Sequence, residues 1–153
     1  MKKIVFTALI FFTAFASFSQ DAALREKQFN LDHGIGIRGY DPVAYFVQNK
    51  AVKGDKQWSQ LNQGITYYFS SLGNKEEFKK NPSKYEPQYG GWCAYAMGKD
   101  GSKVEVDPGT FKIINGKLFL FYNQFFNNTL KSWNKDEDNL HRNADANWQK
   151  TFH

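Results

Sequence analysis

The sequence predicts an α+β fold: a small antiparallel sheet built from hairpins, with short helices and a C-terminal helix. Three observations carry this expectation. β-rich runs are paired across short Gly-containing turns, Asn115-Gly116 giving the clearest signal. Segments with helix-start signals lie before, between and after those runs. Most gaps between the runs are also shorter than the helix-length crossovers that a doubly wound parallel sheet requires.

The elements follow in chain order. Residues 20–32 lack turn signals and show weak helical spacing at Ala23, Leu24, Lys27 and Gln28, so residues 20–38 are expected to form an N-terminal arm ahead of one domain over 39–153. In Gly39-Tyr40-Asp41-Pro42-Val43-Ala44-Tyr45-Phe46, Asp suits a helix cap, and Pro suits a first helical position where its missing N–H costs nothing. Trp58–Leu61 and Ile65–Phe69 read as two strands around the turn Asn62-Gln63-Gly64. Asn74 precedes Glu77 by three residues in the manner of a capping box, Phe78 supplies the apolar side of a short charged helix, and Asn81-Pro82 stops it.

Pro87, Gly90 and Gly91 punctuate a loop before Trp92–Met97, whose small and aromatic residues suit a buried strand or a helix equally. Asp100-Gly101 signals a turn, Lys103-Val104-Glu105-Val106 alternates as a half-buried strand does, and Asp107-Pro108-Gly109 signals another turn. Phe111–Ile114 and Lys117–Tyr122 flank Asn115-Gly116, the dipeptide of a type I′ hairpin. In the tail, Phe125, Phe126, Leu130 and Trp133 are spaced for one helix face. Leu140, Ala144 and Trp148 continue after the acidic start Asp136-Glu137-Asp138.

The 153 residues are 41% hydrophobic, 18% aromatic and 23% charged, a balance that excludes disordered, collagen-like and polytopic membrane chains. The first segment departs from it: Met1-Lys2-Lys3 precedes the uncharged run Ile4–Phe18, followed by small Ser19. This order reads as a secretory signal over residues 1–19, with an uncleaved anchor as the competing reading. Cleavage implies a periplasmic or secreted protein without a stable membrane span. Without Lys2 and Lys3, 18 basic residues remain against 15 acidic ones, and they are interspersed. Nucleic-acid binding needs a concentrated positive stripe, so that class is set aside.

Candidate chemistry centres on Cys93, the one cysteine, which follows Gly90-Gly91, where a backbone can approach a ligand closely. A lone thiol makes no internal disulfide, and its competing reading is plain burial. No C-x-x-C, H-E-x-x-H or helical His pair is present, so any metal site must be assembled at long range from Cys93, His33 and Asp107. Asp41 and Asp107 both precede proline, where a cap or a turn explains each. Gly34-x-Gly36-x-x-Gly39 has dinucleotide-loop spacing but lacks a preceding strand and a following long helix. The aromatics are expected mainly in the core.

Further motifs add a resemblance. Gly39–Phe46, Lys53-Gly54, Tyr67-Tyr68-Phe69-Ser70-Ser71, Phe78, Asn81-Pro82 and Lys84-Tyr85 occur together with Pro87–Ala96, Asp107-Pro108, Gly116-Lys117-Leu118 and Ala144–Trp148. From Gly39 to Trp148 the chain resembles the exported bacterial branch of YHS domain-containing (seleno)proteins. Metal-binding relatives carry a pattern like Y-H-G followed by Y-Y-F-C-S-x-x-C, and the resemblance places Gln63 at the His position and Ser70 and Asn74 at the two Cys positions. Hydroxyl and amide oxygens are poor ligands for copper or zinc, so the inherited site is expected to be lost there.

Three functional expectations follow, and none specifies an enzyme. The first is an exported binding protein with a soft metal such as copper, or a metal-bearing partner, at Cys93 and His33, framed by Gly90, Gly91 and Asp107. The second is a thiol redox accessory using Cys93. The third is a non-catalytic envelope module whose aromatic surface meets a protein partner and whose Cys93 only packs.

Overall fold

The computed structural model describes residues 21–152, so the expected signal segment, residues 1–19, lies outside the described part. The α+β architecture is as the sequence predicts. Residues 21–28 form the first helix, α1. The strands β1 (Leu31–Asp32), β2 (Ile35–Gly36), β3 (Asp55–Asn62) and β4 (Ile65–Phe69) make a sheet of order β1-β2-β4-β3. Its pairs are antiparallel except β2 with β4, which meet in parallel at Ile35 and Thr66. A second, two-stranded sheet joins β5 (Asp107–Ile114) to β6 (Lys117–Phe121), and a small ribbon joins β7 (Asn123–Gln124) to β8 (Asn127–Asn128). The remaining helices are α2 (Ala44–Val47), α3 (Leu72–Lys80), α4 (Pro82–Tyr85), α5 (Ala94–Asp100), α6 (Thr129–Trp133) and α7 (Glu137–Gln149).

Turn chemistry fixes the hairpins. Gln63-Gly64 and Asn115-Gly116 both take the left-handed conformations of two-residue turns, φ 47° and 86° in the first, 50° and 72° in the second. His33-Gly34 does the same between β1 and β2, a hairpin inside the expected arm. That segment is tied down elsewhere too. The Arg25 guanidinium pairs with Glu86 at 2.6 Å, and the same carboxylate oxygen accepts from Asn62 Nδ2 and Tyr67 Oη at 3.0 Å each.

Three local expectations change, and one open between strand and helix is resolved. Ser71, not Asn74, caps α3: its Oγ accepts the Asn74 N–H at 3.1 Å, because the helix begins at Leu72 and places Asn74 in the first turn. Trp92–Met97 resolves as the entry to α5, ended by Gly101 at φ 79°. Residues 103–106 keep the alternating exposure of a strand but have no ladder partner. Asp107-Pro108-Gly109 forms a bulge inside β5, where the register against β6 shifts between Asp107 and Phe111, and not a turn outside it.

The largest correction concerns the tail. Phe125 and Phe126 are not on a helix: they are the two turn residues of the β7–β8 ribbon, at φ 50° and 62°, and the helix starts only at Thr129. Asn128 caps it, with Oδ1 accepting the Leu130 N–H at 3.1 Å.

Two cores share β6. Leu118 and Leu120 face a cluster with Val43, Tyr45, Ile65, Tyr67, Phe69 and Phe78, whereas Phe119 and Phe121 face Tyr89, Met97, Trp133 and Ala144 under α5, α6 and α7. The period-2 alternation of one strand thus supplies both interiors. Gly98 lets α5 and α7 meet, since a Cβ there would collide with the Leu140 main-chain carbonyl.

Two outcomes are expected. Gly98→Ala should cost about 1–3 kcal/mol in urea unfolding, because backbone must move to admit the methyl. An unchanged midpoint would show that the helices separate freely. Burial also pushes the Tyr45, Tyr67 and Tyr89 phenols above their ordinary value of 10.0. Their neutral forms are favoured by folding, so this stability is complete below pH 10 and declines as the unfolded phenols ionise above it. Melting temperature followed into alkali should fall less steeply for Tyr45→Phe than for wild type.

Candidate functional site

Cys93 stands between a left-handed turn, Tyr89–Gly91, and the start of α5. Its N–H donates to Val104 O at 2.9 Å and its carbonyl accepts from Met97 N at 3.0 Å, which locks the backbone on both sides. The sulfur is fully buried. Thr129 Oγ1 lies 2.9 Å from Tyr122 O and 3.4 Å from Cys93 Sγ. The hydroxyl has one proton, which goes to the Tyr122 carbonyl, so the thiol is the donor toward Thr129. Sγ in turn accepts the Tyr122 N–H at 3.4 Å. The sulfur is therefore a structural crosslink between the α5 entry, the end of β6 and α6.

An open cleft of about 400 Å³ lies against this crosslink, lined by Cys93 itself and by Tyr95, Lys99, Val104, Tyr122, Asn127 and Thr129 among others. Its walls are mostly carbon, with Lys99 and Asp100 at the rim. Ser102 holds the Asp100 carboxyl below the usual carboxylate range, because its hydroxyl and its N–H both donate there.

The other expected site residues are not gathered around the sulfur. His33 is 95% exposed at the β1–β2 turn and its Nδ1 meets only the neighbouring Asp32, at 2.7 Å. Asp107 serves the bulge: Oδ1 accepts the Gly109 N–H and Oδ2 accepts the Thr110 hydroxyl, both at 2.9 Å. Thr110 Oγ1 then accepts from Asn123 Nδ2 at 2.9 Å, so Asp107 supports the base of the β7–β8 ribbon. Gly90 and Gly91 do admit a close approach, but by the protein itself. Asn30 donates its N–H to Gly90 O at 2.9 Å and its Nδ2 to Gly91 O at 3.2 Å, and a Cβ on Gly90 would lie 2.8 Å from Phe29 and Trp148. Among the described residues no group of three or more His, Cys, Asp or Glu is arranged to hold a metal ion.

The positions at which the resemblance implies thiolates tell a related story. Ser70 and Asn74 do come together, around the fully buried Asp41. Asp41 Oδ2 accepts from Ser70 N at 2.8 Å, Ser70 Oγ at 2.6 Å and Asn74 Nδ2 at 2.7 Å, and Oδ1 accepts from Val43 N at 2.9 Å and Ala44 N at 3.3 Å. α2 starts at Ala44 with Val43 at its cap, two residues later than Asp41-Pro42 predicts, so Asp41 receives the Val43 and Ala44 N–H groups from ahead of the helix and three further donors from Ser70 and Asn74. Ser70 and Asn74 present protons to this corner, so the residues there do not fit a soft cation. Gln63 is occupied by its turn, where its carbonyl accepts from Arg25 Nε at 3.3 Å.

Sequence reasoning missed the β7–β8 tip. Phe125 and Phe126 are 87% and 111% exposed, the most exposed large apolar side chains described. A usable signal exists in Asn123, Asn127 and Asn128, poor helix formers on both sides of the two rings, with Asn128-Thr129 as a helix start. No family model, curated protein or solved structure matches the chain.

Asp41→Ala should destabilise the fold by at least about 3 kcal/mol, since it strands several buried donors, while Asn74→Ala should cost about 1.5 kcal/mol. Denaturant midpoints decide this. Equal, small losses for the two variants would mean that the carboxylate does not organise this corner.

Proposed function

We propose that the chain is an exported, non-catalytic interaction module, as its resemblance to the YHS domain-containing branch allows, and that it acts through the face formed by the β7–β8 tip and the adjoining cleft. The single observation that carries this reading is the pair Phe125-Phe126. Two adjacent rings stand in solvent with almost no contact to the rest of the protein. Contiguous exposed apolar surface is the ordinary mark of an interaction site.

The state of Cys93 supports the same reading over its rivals. A metal ligand or redox thiol must offer a lone pair to a partner, and this sulfur is buried with its proton directed to Thr129 and a lone pair engaged by Tyr122. Export is supported by Lys2-Lys3 and the apolar run Ile4–Phe18, a pattern that suits a module in the envelope or outside it.

Two measurements test the proposal together. Phe125→Ser/Phe126→Ser should melt at or above the wild-type temperature yet lose its retention in the washed envelope fraction of the producing cell. Retention equal to wild type would reject this face as the functional one. In copper(I) competition followed by native mass spectrometry, wild type and Cys93→Ser should behave alike. A tight one-to-one complex lost in Cys93→Ser would move the function back to the sulfur.

A further inference from the structure

We propose that the β7–β8 tip is a membrane wedge, which seats Phe125 and Phe126 in the interfacial layer of a bilayer bearing anionic lipids. This rests on the reading of the tip as the functional face and names what it meets.

The four two-residue hairpin turns of the fold provide an internal comparison. Three of them read His33-Gly34, Gln63-Gly64 and Asn115-Gly116, with glycine at the second left-handed position. The fourth has phenylalanine at both positions, where a bulky side chain is disfavoured sterically. Nothing in the fold offsets this, because neither ring packs on a neighbour. The other exposed large apolar residues, Val47, Leu61 and Leu72, sit singly on separate elements. The tip is also held firmly at its base: Asn123 is bonded to Thr110, Thr129 N donates to Tyr122 O at 3.0 Å, and Asn128 caps α6. Two rings are thus presented outward from a fixed support.

Charge and area identify the occupant. From Pro108 to Lys135 the chain contains no Asp or Glu and four lysines. Lys112 is neutralised by Glu137, but Lys131 is exposed on α6 just after the tip, and exposed Lys99 lines the same cleft as Asn127. Asp100 lines the same cleft and stays ionised under the Ser102 hydrogen bonds, offsetting Lys99, so the unpaired positive charge nearest the tip is Lys131. An anionic surface suits this setting. Two phenylalanines can bury roughly 300–500 Å², whereas a stable protein interface needs about 800 Å² from each partner. The residues flanking the rings are four polar amides, which add no apolar area. A bilayer interface needs no shape complementarity and takes a pair of aromatic rings with nearby cations.

The test uses the full chain with a polarity-sensitive fluorophore at Gln124→Cys, Cys93 being buried from the reagent, and the same fluorophore at Leu61→Cys as the control. Vesicles of equal parts phosphatidylethanolamine and phosphatidylglycerol should shift the Gln124→Cys emission to the blue and allow quenching by brominated acyl chains, with the Leu61→Cys emission unchanged. The N-terminal apolar run is common to both and cannot produce that difference. Adding Phe125→Ser/Phe126→Ser should weaken the response at least about tenfold, and Lys131→Gln about fivefold. Phosphatidylcholine vesicles should respond weakly. If the tip reporter stays dark on anionic vesicles while the double variant still loses envelope retention, the tip binds a protein and the wedge is overturned with its functional face intact. If retention is also unchanged, both readings fail. An equal response from the double variant would overturn ring insertion directly.

Discussion

The fold depends on burying both faces of one short strand. Leu118, Phe119, Leu120 and Phe121 of β6 are all fully enclosed, and their alternation sends two side chains into each core. Burial of a side chain this size is worth about 1.5–3 kcal/mol, so each of the four is a substantial share of the fold's stability. A strand buried on one face would leave either the β-sheet side or the α5–α7 side without an interior. The β5 pairing follows β6 to its last residue, Phe121 opposite Asp107, and the bulge at Pro108 lets the Asp107 carboxylate anchor Thr110 and the ribbon beyond.

What was legible in the sequence follows from how local its physical cause is. Asn115-Gly116 and Gln63-Gly64 demand their turns through φ alone, and the strands beside them followed. Asp136-Glu137-Asp138 marks α7 through negative charge at its first turn, whereas Asp41-Pro42 marks α2 two residues too early because the helix begins at Ala44. Residues 103–106 misled because alternation measures burial on two sides, not pairing, and here buried Val106 faces the core without a neighbouring strand. Phe125 and Phe126 misled for the opposite reason: their spacing with Leu130 and Trp133 imitates an apolar stripe, while the structure bends the chain so that only the latter two face the protein.

The candidate site was less legible than the fold because its components answer to contacts distant in sequence. Gly90-Gly91 correctly signalled a close backbone approach, but the approaching groups, Phe29, Asn30 and Trp148, come from both ends of the chain. Cys93 drew attention as the only thiol, yet rarity in composition carries no information about exposure. The decisive feature is Thr129, thirty-six positions away, whose hydroxyl must donate to Tyr122 and can therefore only accept from the sulfur.

The Asp41 corner shows how a buried carboxylate is satisfied entirely by the chain's own donors. The resemblance places thiolates at 70 and 74, four residues apart across the cap of α3. Thiolates there would set two further negative groups within hydrogen-bond reach of a buried carboxylate, an arrangement that requires a cation among them. Serine and asparagine reverse the local balance, since each turns a proton toward Asp41 Oδ2 and the carboxylate becomes the acceptor of five bonds from α2, the end of β4 and α3. The corner is then satisfied by the chain's own donors. This half of the molecule is held by its own hydrogen bonds, and the surface left unsatisfied lies at the opposite extreme of polarity, in two rings at the end of β7.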